Sequence, residues 1–208
     1  MNKFIIYANE YLGQDIQGFY HEEYHAGNWK IDGTIENIIT TLKNDIPPFK
    51  SQETLQLAIN RLIAIVEKDL IQIKQSNQIN LTICIIPRAK IEDSYANNQL
   101  LFKKVIHHLT VKLGFNDGSN YIKRYINTRT THRDRSGHGG DGQRPYPYIT
   151  KDTCNISNKV KDKDILLIDD LYTKSINIDE DAIQVLLDNG AKSVIFYAPA
   201  KTVNDLYN

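Results

Sequence analysis

Two adjacent carboxylates, Asp169-Asp170, follow four aliphatic residues in a row, Ile165-Leu166-Leu167-Ile168. Such a run reads as a strand buried on both faces, and the acids stand where it should end. A short polar loop comes next, and beyond it Asp179 to Leu187 reads as a helix closed by Asn189-Gly190. In an open parallel sheet, ligands bind outside the carboxyl ends of the strands. The N-terminus of the following helix is suited to holding a phosphate through its backbone N–H groups. Paired acids beside such a turn fit a phosphorylated sugar: carboxylates for hydroxyls and a metal, backbone N–H groups for phosphate. The plainer alternative is a solvated acidic pair at a strand end.

Two further clusters carry chemistry. From Lys123 to Arg144 the chain holds Lys123, Arg124, Arg129, Arg133, Arg135 and Arg144, opposed by Asp134 and Asp141 alone. Lys plus Arg and Asp plus Glu each total 25, so an anion site has to be local, and this loop is one place for it. A single-stranded nucleic acid is the rival partner for the loop, but aromatics for stacking are few, with Tyr146 and Tyr148 just beyond it. Near the N-terminus, His21-Glu22-Glu23-Tyr24-His25 matches the His-Glu-x-x-His pattern of zinc metallopeptidases. That chemistry needs a helix to bring both imidazoles to one face, whereas Gly18 and Gly27 flank the segment and no apolar stripe supports it.

The elements that would position these groups can be read from periodicity. Residues 3–8 read as a short strand, 11–34 as loops and short strands, and 35–42 as a short helix ahead of Pro47-Pro48. Leu55, Ile59, Leu62, Ile63, Val66, Leu70 and Ile73 recur at helical spacing, which predicts an amphipathic helix over 52–74. Leu81–Ile86 reads as a buried strand stopped by Pro87, with Cys84 a buried reduced thiol. Residues 99–113 read as a helix, 121–126 as a short strand, 127–148 as a loop, and Val194–Ala198 as a last strand. Strand and helix alternate from residue 81 onward, which predicts an α/β fold with a parallel sheet flanked by helices. Residues 1–78 then read as an accessory segment and 79–208 as the core. The N-terminal apolar stretch is too short to span a bilayer, so a cytoplasmic location and no membrane partner are expected.

The run Ile165–Ile168, Asp169-Asp170, Leu171-Tyr172, Thr173-Lys174-Ser175-Ile176-Asn177 resembles the signature of the type I phosphoribosyltransferases, closest in look to their competence-associated ComF-like branch. The likeness covers roughly residues 81–202. It implies a phosphoribosyltransferase-like core with a hood formed by residues 1–78. It also implies transfer of phosphoribose from 5-phosphoribosyl 1-diphosphate to a nitrogenous small-molecule acceptor, with release of diphosphate. Asp169 and Asp170 would serve as the catalytic acids, holding the ribose hydroxyls with Mg²⁺ nearby. Thr173, Lys174, Ser175 and Asn177 would cradle the 5′-phosphate. Arg88 and Lys90, at the end of the first core strand, would take the diphosphate, and the loop with Arg129 and Arg133 would fold over it. Homodimers are usual among similar proteins. The chain departs from the family where Lys174 replaces a small hydroxyl residue, Ser175 a glycine and Asn177 a Thr or Ser. That departure motivates a second reading, a non-catalytic ligand-sensing or DNA-uptake-associated protein on the same fold.

Overall fold

The computed structural model describes residues 1–77, 79–129, 152–174 and 176–203. Its centre is β7 (Asp164–Ile168), whose Ile165, Leu166, Leu167 and Ile168 are all fully buried. Alternation along the strand sends Ile165 and Leu167 to one face and Leu166 and Ile168 to the other. The first face packs on α4 (Ile178–Asp188) through Ala182, Ile183 and Leu186. The second packs on α1 (Ile35–Lys43), α2 (Gln52–Ser76) and α3 (Leu101–Lys112). A strand sandwiched this way must be apolar wherever both faces are covered, and Ile165–Ile168 are, while Asp164 at its start is only partly buried.

Seven strands form the main sheet in the order β1 (Asn2–Ile6), β2 (Ile16–Tyr24), β9 (Ser193–Thr202), β7, β3 (Thr82–Ile85) and β4 (Asn116–Asp117), with β8 (Leu171–Tyr172) also on β9. All pairings are parallel except β1 with β2, so the sheet is mixed and mostly parallel, carried with four helices among the described residues. The 121–126 strand narrows to β5 (Ile122–Arg124) and lies off the main sheet, pairing antiparallel with β6 (Cys154–Ile156). No helix among the described residues is long and apolar enough to cross a membrane. Cys84 and Cys154 are buried free thiols, and burial pushes Cys84 up to about 12.

Residues 1–77 contribute both to the sheet, through β1 and β2, and to the cover of one of its faces, through α1 and α2. The loops and short strands expected across 11–34 include a nine-residue strand, β2, which pairs with β9 from Gly18 opposite Phe196 to Tyr24 opposite Thr202. Its signal is hidden because only part of it is buried. Gly18 belongs there because a Cβ would lie 2.4 Å from the Phe4 ring on β1. The expected long helix is present as α2, opened by Ser51, whose hydroxyl accepts from the Thr54 N–H at 3.2 Å. Leu62, Val66, Leu70 and Ile73 seat it on the sheet without exposed surface. α1 starts at Thr34, which caps Asn37, and stops at Asn44 in the left-handed conformation (φ 46°).

The strand bearing the paired acids does not simply end. Its register on β9 is the same before and after them, with Ile168 opposite Tyr197 and Leu171 opposite Ala200. β8 therefore continues β7, and the interruption at Asp169-Asp170 faces Ala198-Pro199. The Asp169 N–H still donates to the Tyr197 carbonyl at 3.2 Å, and Pro199, which has no N–H to give, breaks the ladder until it resumes at Leu171.

Candidate functional site

Alternation along β7 carries over to the acids. Asp169 reaches toward α4, where its carboxyl lies beside that of Asp179, and Asp170 reaches toward α1, where its Oδ2 lies 3.0 Å from Lys43 Nζ. The two are linked to each other, since the Asp170 N–H donates to Asp169 Oδ1 at 2.7 Å. Burial first, and the Asp170 charge second, push Asp169 up to about 7. Asp179 is raised well above the carboxylate range by burial and by Asp169 beside it. For Lys43, burial pulls the pKa down, but the charges of Asp170 and Asp169 outweigh it and leave the ammonium firmly protonated.

These residues line a cavity of about 350 Å³ at the carboxyl ends of β3 and β7. The expected residues Arg88, Lys90, Asp169, Asp170 and Thr173 all border it, together with Lys123 and Arg124 from β5. The paired acids and the 87–90 turn, far apart in sequence, are thus brought to one space. Lys43, Asp45 and Asp179 also border it. Sequence reasoning missed them because each sits in an ordinary helix-end context. The signal available for Asp179 was its place in the first turn after the loop.

Arg88 is committed elsewhere. One guanidinium nitrogen reaches both carboxylate oxygens of Asp45, the other donates to the Lys43 and Gln99 carbonyls, and the group lies 4.3 Å from the Tyr95 ring centroid. It is a brace joining the end of α1 to the turn after β3, and the expected fork toward a diphosphate is largely used up. Lys90 donates to the Thr128 carbonyl at 2.9 Å. Arg124 is buried and its Nε donates to the Arg88 carbonyl at 2.7 Å.

The expected phosphate loop is only partly assembled around the cavity. Thr173 borders it, and its carbonyl accepts from the Ile176 N–H at 3.0 Å, closing a turn. Lys174 is exposed. Asn177 is left-handed (φ 57°) and its Oδ1 accepts from Asn9, 3.3 Å away. Asp179, Glu180 and Asp181 fill the first turn of α4, where the helix dipole stabilises carboxylates and competes with a phosphate. Arg129 is exposed and outside the lining. Ser175 and Arg133, with the rest of the cationic loop from 130 to 151, lie outside the described residues.

The His-Glu-x-x-His pattern runs along the end of β2 (residues 21–24), with His25 extended just past it, and not along a helix. Along an extended chain His21 and His25 stand about 13 Å apart, so they cannot share a metal, and the peptidase reading loses its premise. His21 instead lies 2.9 Å from the buried Asp69 of α2, which also accepts from the Tyr197 hydroxyl at 3.0 Å.

A divalent cation held directly by Asp169 and Asp170 does not fit these residues. One oxygen of Asp170 faces an ammonium, and Asp169 is engaged with Asp179 and with the Asp170 N–H. No group of three or more His, Cys, Asp or Glu suited to a metal occurs among the described residues. No family model and no curated protein matches the chain.

Proposed function

We propose that this chain binds 5-phosphoribosyl 1-diphosphate in the cavity and transfers the phosphoribosyl group to a small nitrogenous acceptor. One observation carries the reading. Adjacent acids at the carboxyl end of the central strand and the basic residues Lys90, Lys123 and Arg124 line one cavity of about 350 Å³. Vicinal ribose hydroxyls donate to carboxylates, and anionic phosphates are drawn to cations, so both ends of such a ligand have matching groups in the one space.

In the reaction, the bond from the anomeric carbon to the diphosphate oxygen breaks and a bond from the acceptor nitrogen forms. Positive charge develops on the ribose ring meanwhile, and the carboxylate of Asp170 beside it favours that charge. Divalent cation would arrive on the diphosphate.

The second reading is a ligand sensor without turnover, and it is favoured by the commitment of Arg88 to Asp45. Calorimetric titration of wild type and Asp170→Asn with 5-phosphoribosyl 1-diphosphate and Mg²⁺ tests the ligand. Saturable heat in wild type, weakened at least about tenfold in the variant, is the expected outcome. No heat in wild type refutes it. Binding without diphosphate release, across a panel of nitrogenous bases, selects the sensor.

A further inference from the structure

Lys43 has no place in the resemblance, yet among the described residues its ammonium is the cation ion-paired with the adjacent acids. It stands in the last turn of α1, where the helix dipole favours a positive charge. Its side chain is about a quarter exposed and that of Asp170 about a fifth (24% and 19%), so the pair is neither solvated nor sealed. An ammonium has three N–H donors, and Asp170 occupies one. Its position is set from several sides: the Lys43 carbonyl accepts from Arg88 at 3.2 Å, and Asn44 turns left-handed just after it. Arg88 is in turn fixed by Asp45 and Tyr95. The ammonium is therefore a preorganised part of the cavity wall.

A second observation concerns the other side of the acids. Asp179 is almost fully buried, borders the cavity and leaves its Oδ1 without a hydrogen-bond partner. A buried polar atom of that kind requires a partner, and a ligand hydroxyl can supply a donor to it. Lys43 and Asp179 thus flank Asp169-Asp170, one offering donors and the other an acceptor.

We infer that Lys43 is the built-in cation of this site, paired with Asp170 where a protein-held divalent metal would otherwise stand, so that a ribose phosphate binds without metal. The inference rests on the proposed ligand class. The ribose hydroxyls bond to Asp170 and Asp179, while the two remaining N–H donors of Lys43 face ligand oxygens. Removing the ammonium would leave Asp170 uncompensated and open to a divalent cation.

The test uses the full chain as wild type, Lys43→Met and Lys43→Arg, each checked for folding by circular dichroism. Mn²⁺ alone is titrated first and bound metal read from loss of the free-ion electron paramagnetic resonance signal. The expected result is one Mn²⁺ site gained in Lys43→Met and none in wild type or Lys43→Arg. Ribose 5-phosphate, which carries no diphosphate to bring its own metal, is then titrated by calorimetry in EDTA and in Mn²⁺. Wild type and Lys43→Arg should bind equally in both. Lys43→Met should lose at least about tenfold in EDTA, the size of one charge-assisted hydrogen bond, and recover in Mn²⁺. Wild type that takes up Mn²⁺ by itself, or binds ribose 5-phosphate only with Mn²⁺, overturns the inference and leaves the ligand class standing. Unchanged binding in Lys43→Met overturns it as well. Should wild type bind ribose 5-phosphate in neither buffer, the functional reading falls, and with it the role assigned to Lys43 toward ribose. The Mn²⁺ titration separately reports whether Lys43 excludes metal.

Discussion

One guanidinium nitrogen of Arg88 lies 2.6 and 2.5 Å from the two carboxylate oxygens of Asp45. The pair joins the turn after β3 to the end of α1, and its side chains are 26% and 17% exposed. Arg88→Ala should cost about 2–3 kcal/mol, between an exposed and a buried ion pair. Arg88→Lys should recover only part of that, because an ammonium lacks the planar fork and stacks poorly on Tyr95. Urea denaturation of both variants checks this. Full stability in Arg88→Ala would return the side chain to ligand binding.

Stability should fall as pH rises from about 4 to about 7. Asp169 has an ordinary value of 3.8 and is pushed up to about 7 in the fold by burial and by Asp170, and Asp179 moves the same way. Across that window the folded chain keeps protons that the unfolded chain has released, so raising the pH favours unfolding. Asp169→Asn should flatten the slope. Urea midpoints at about pH 5 and about pH 8 measure it, and a higher midpoint at the alkaline end contradicts the assignment.

Tyr197→Phe should destabilise by about 1–2 kcal/mol, the cost of leaving a buried acceptor short of a donor. The hydroxyl donates to Asp69 inside the core between α2 and β9, and Asp69 Oδ1 already has no partner. The carboxylate would then rely on His21 alone among the described residues. A chemical denaturation curve that superimposes on wild type would remove this bond from the stability of the fold.

Gly118→Ala should cost about 1–3 kcal/mol through overpacking. A Cβ there would lie 2.9 Å from Cys84 Sγ and Thr82 Cγ2 and 3.0 Å from the Ile83 carbonyl oxygen, so β4 would have to move off β3. Because β3 leads directly into the turn with Arg88 and Lys90, ligand affinity should weaken with stability. Thermal melting and calorimetry of the one variant measure both.

Strongly periodic or wholly apolar segments were legible from sequence. Ile165–Ile168, the α2 stripe and Leu81–Ile86 each became the element their pattern predicts, because a position buried on both faces, or a helix face, leaves a clear signature. β2 was legible only as short strands among loops: Gly18, Glu22 and Glu23 dilute its pattern, and its length and pairing with β9 are long-range facts that local pattern does not contain. At the site, Asp169, Asp170, Arg88, Lys90 and Thr173 converge on one cavity. What sequence could not give was their partners. Whether a guanidinium faces ligand or Asp45 depends on where α1 ends, and whether an acid faces metal or Lys43 depends on the same point in space.

The sheet is joined by its last strand. β9 pairs with β2 on one side and with β7 on the other. Without it, the β1–β2 hairpin from the start of the chain and the β7–β3–β4 group from its middle and end are two separate pieces, each with an unpaired edge. Folding therefore cannot finish progressively from the N-terminus. Its completion needs one late segment placed between the edges of β2 and β7, a closing step of large sequence separation of the kind that slows folding. Truncation before residue 193 should leave the chain prone to edge-to-edge association, where the loss of a peripheral strand would not.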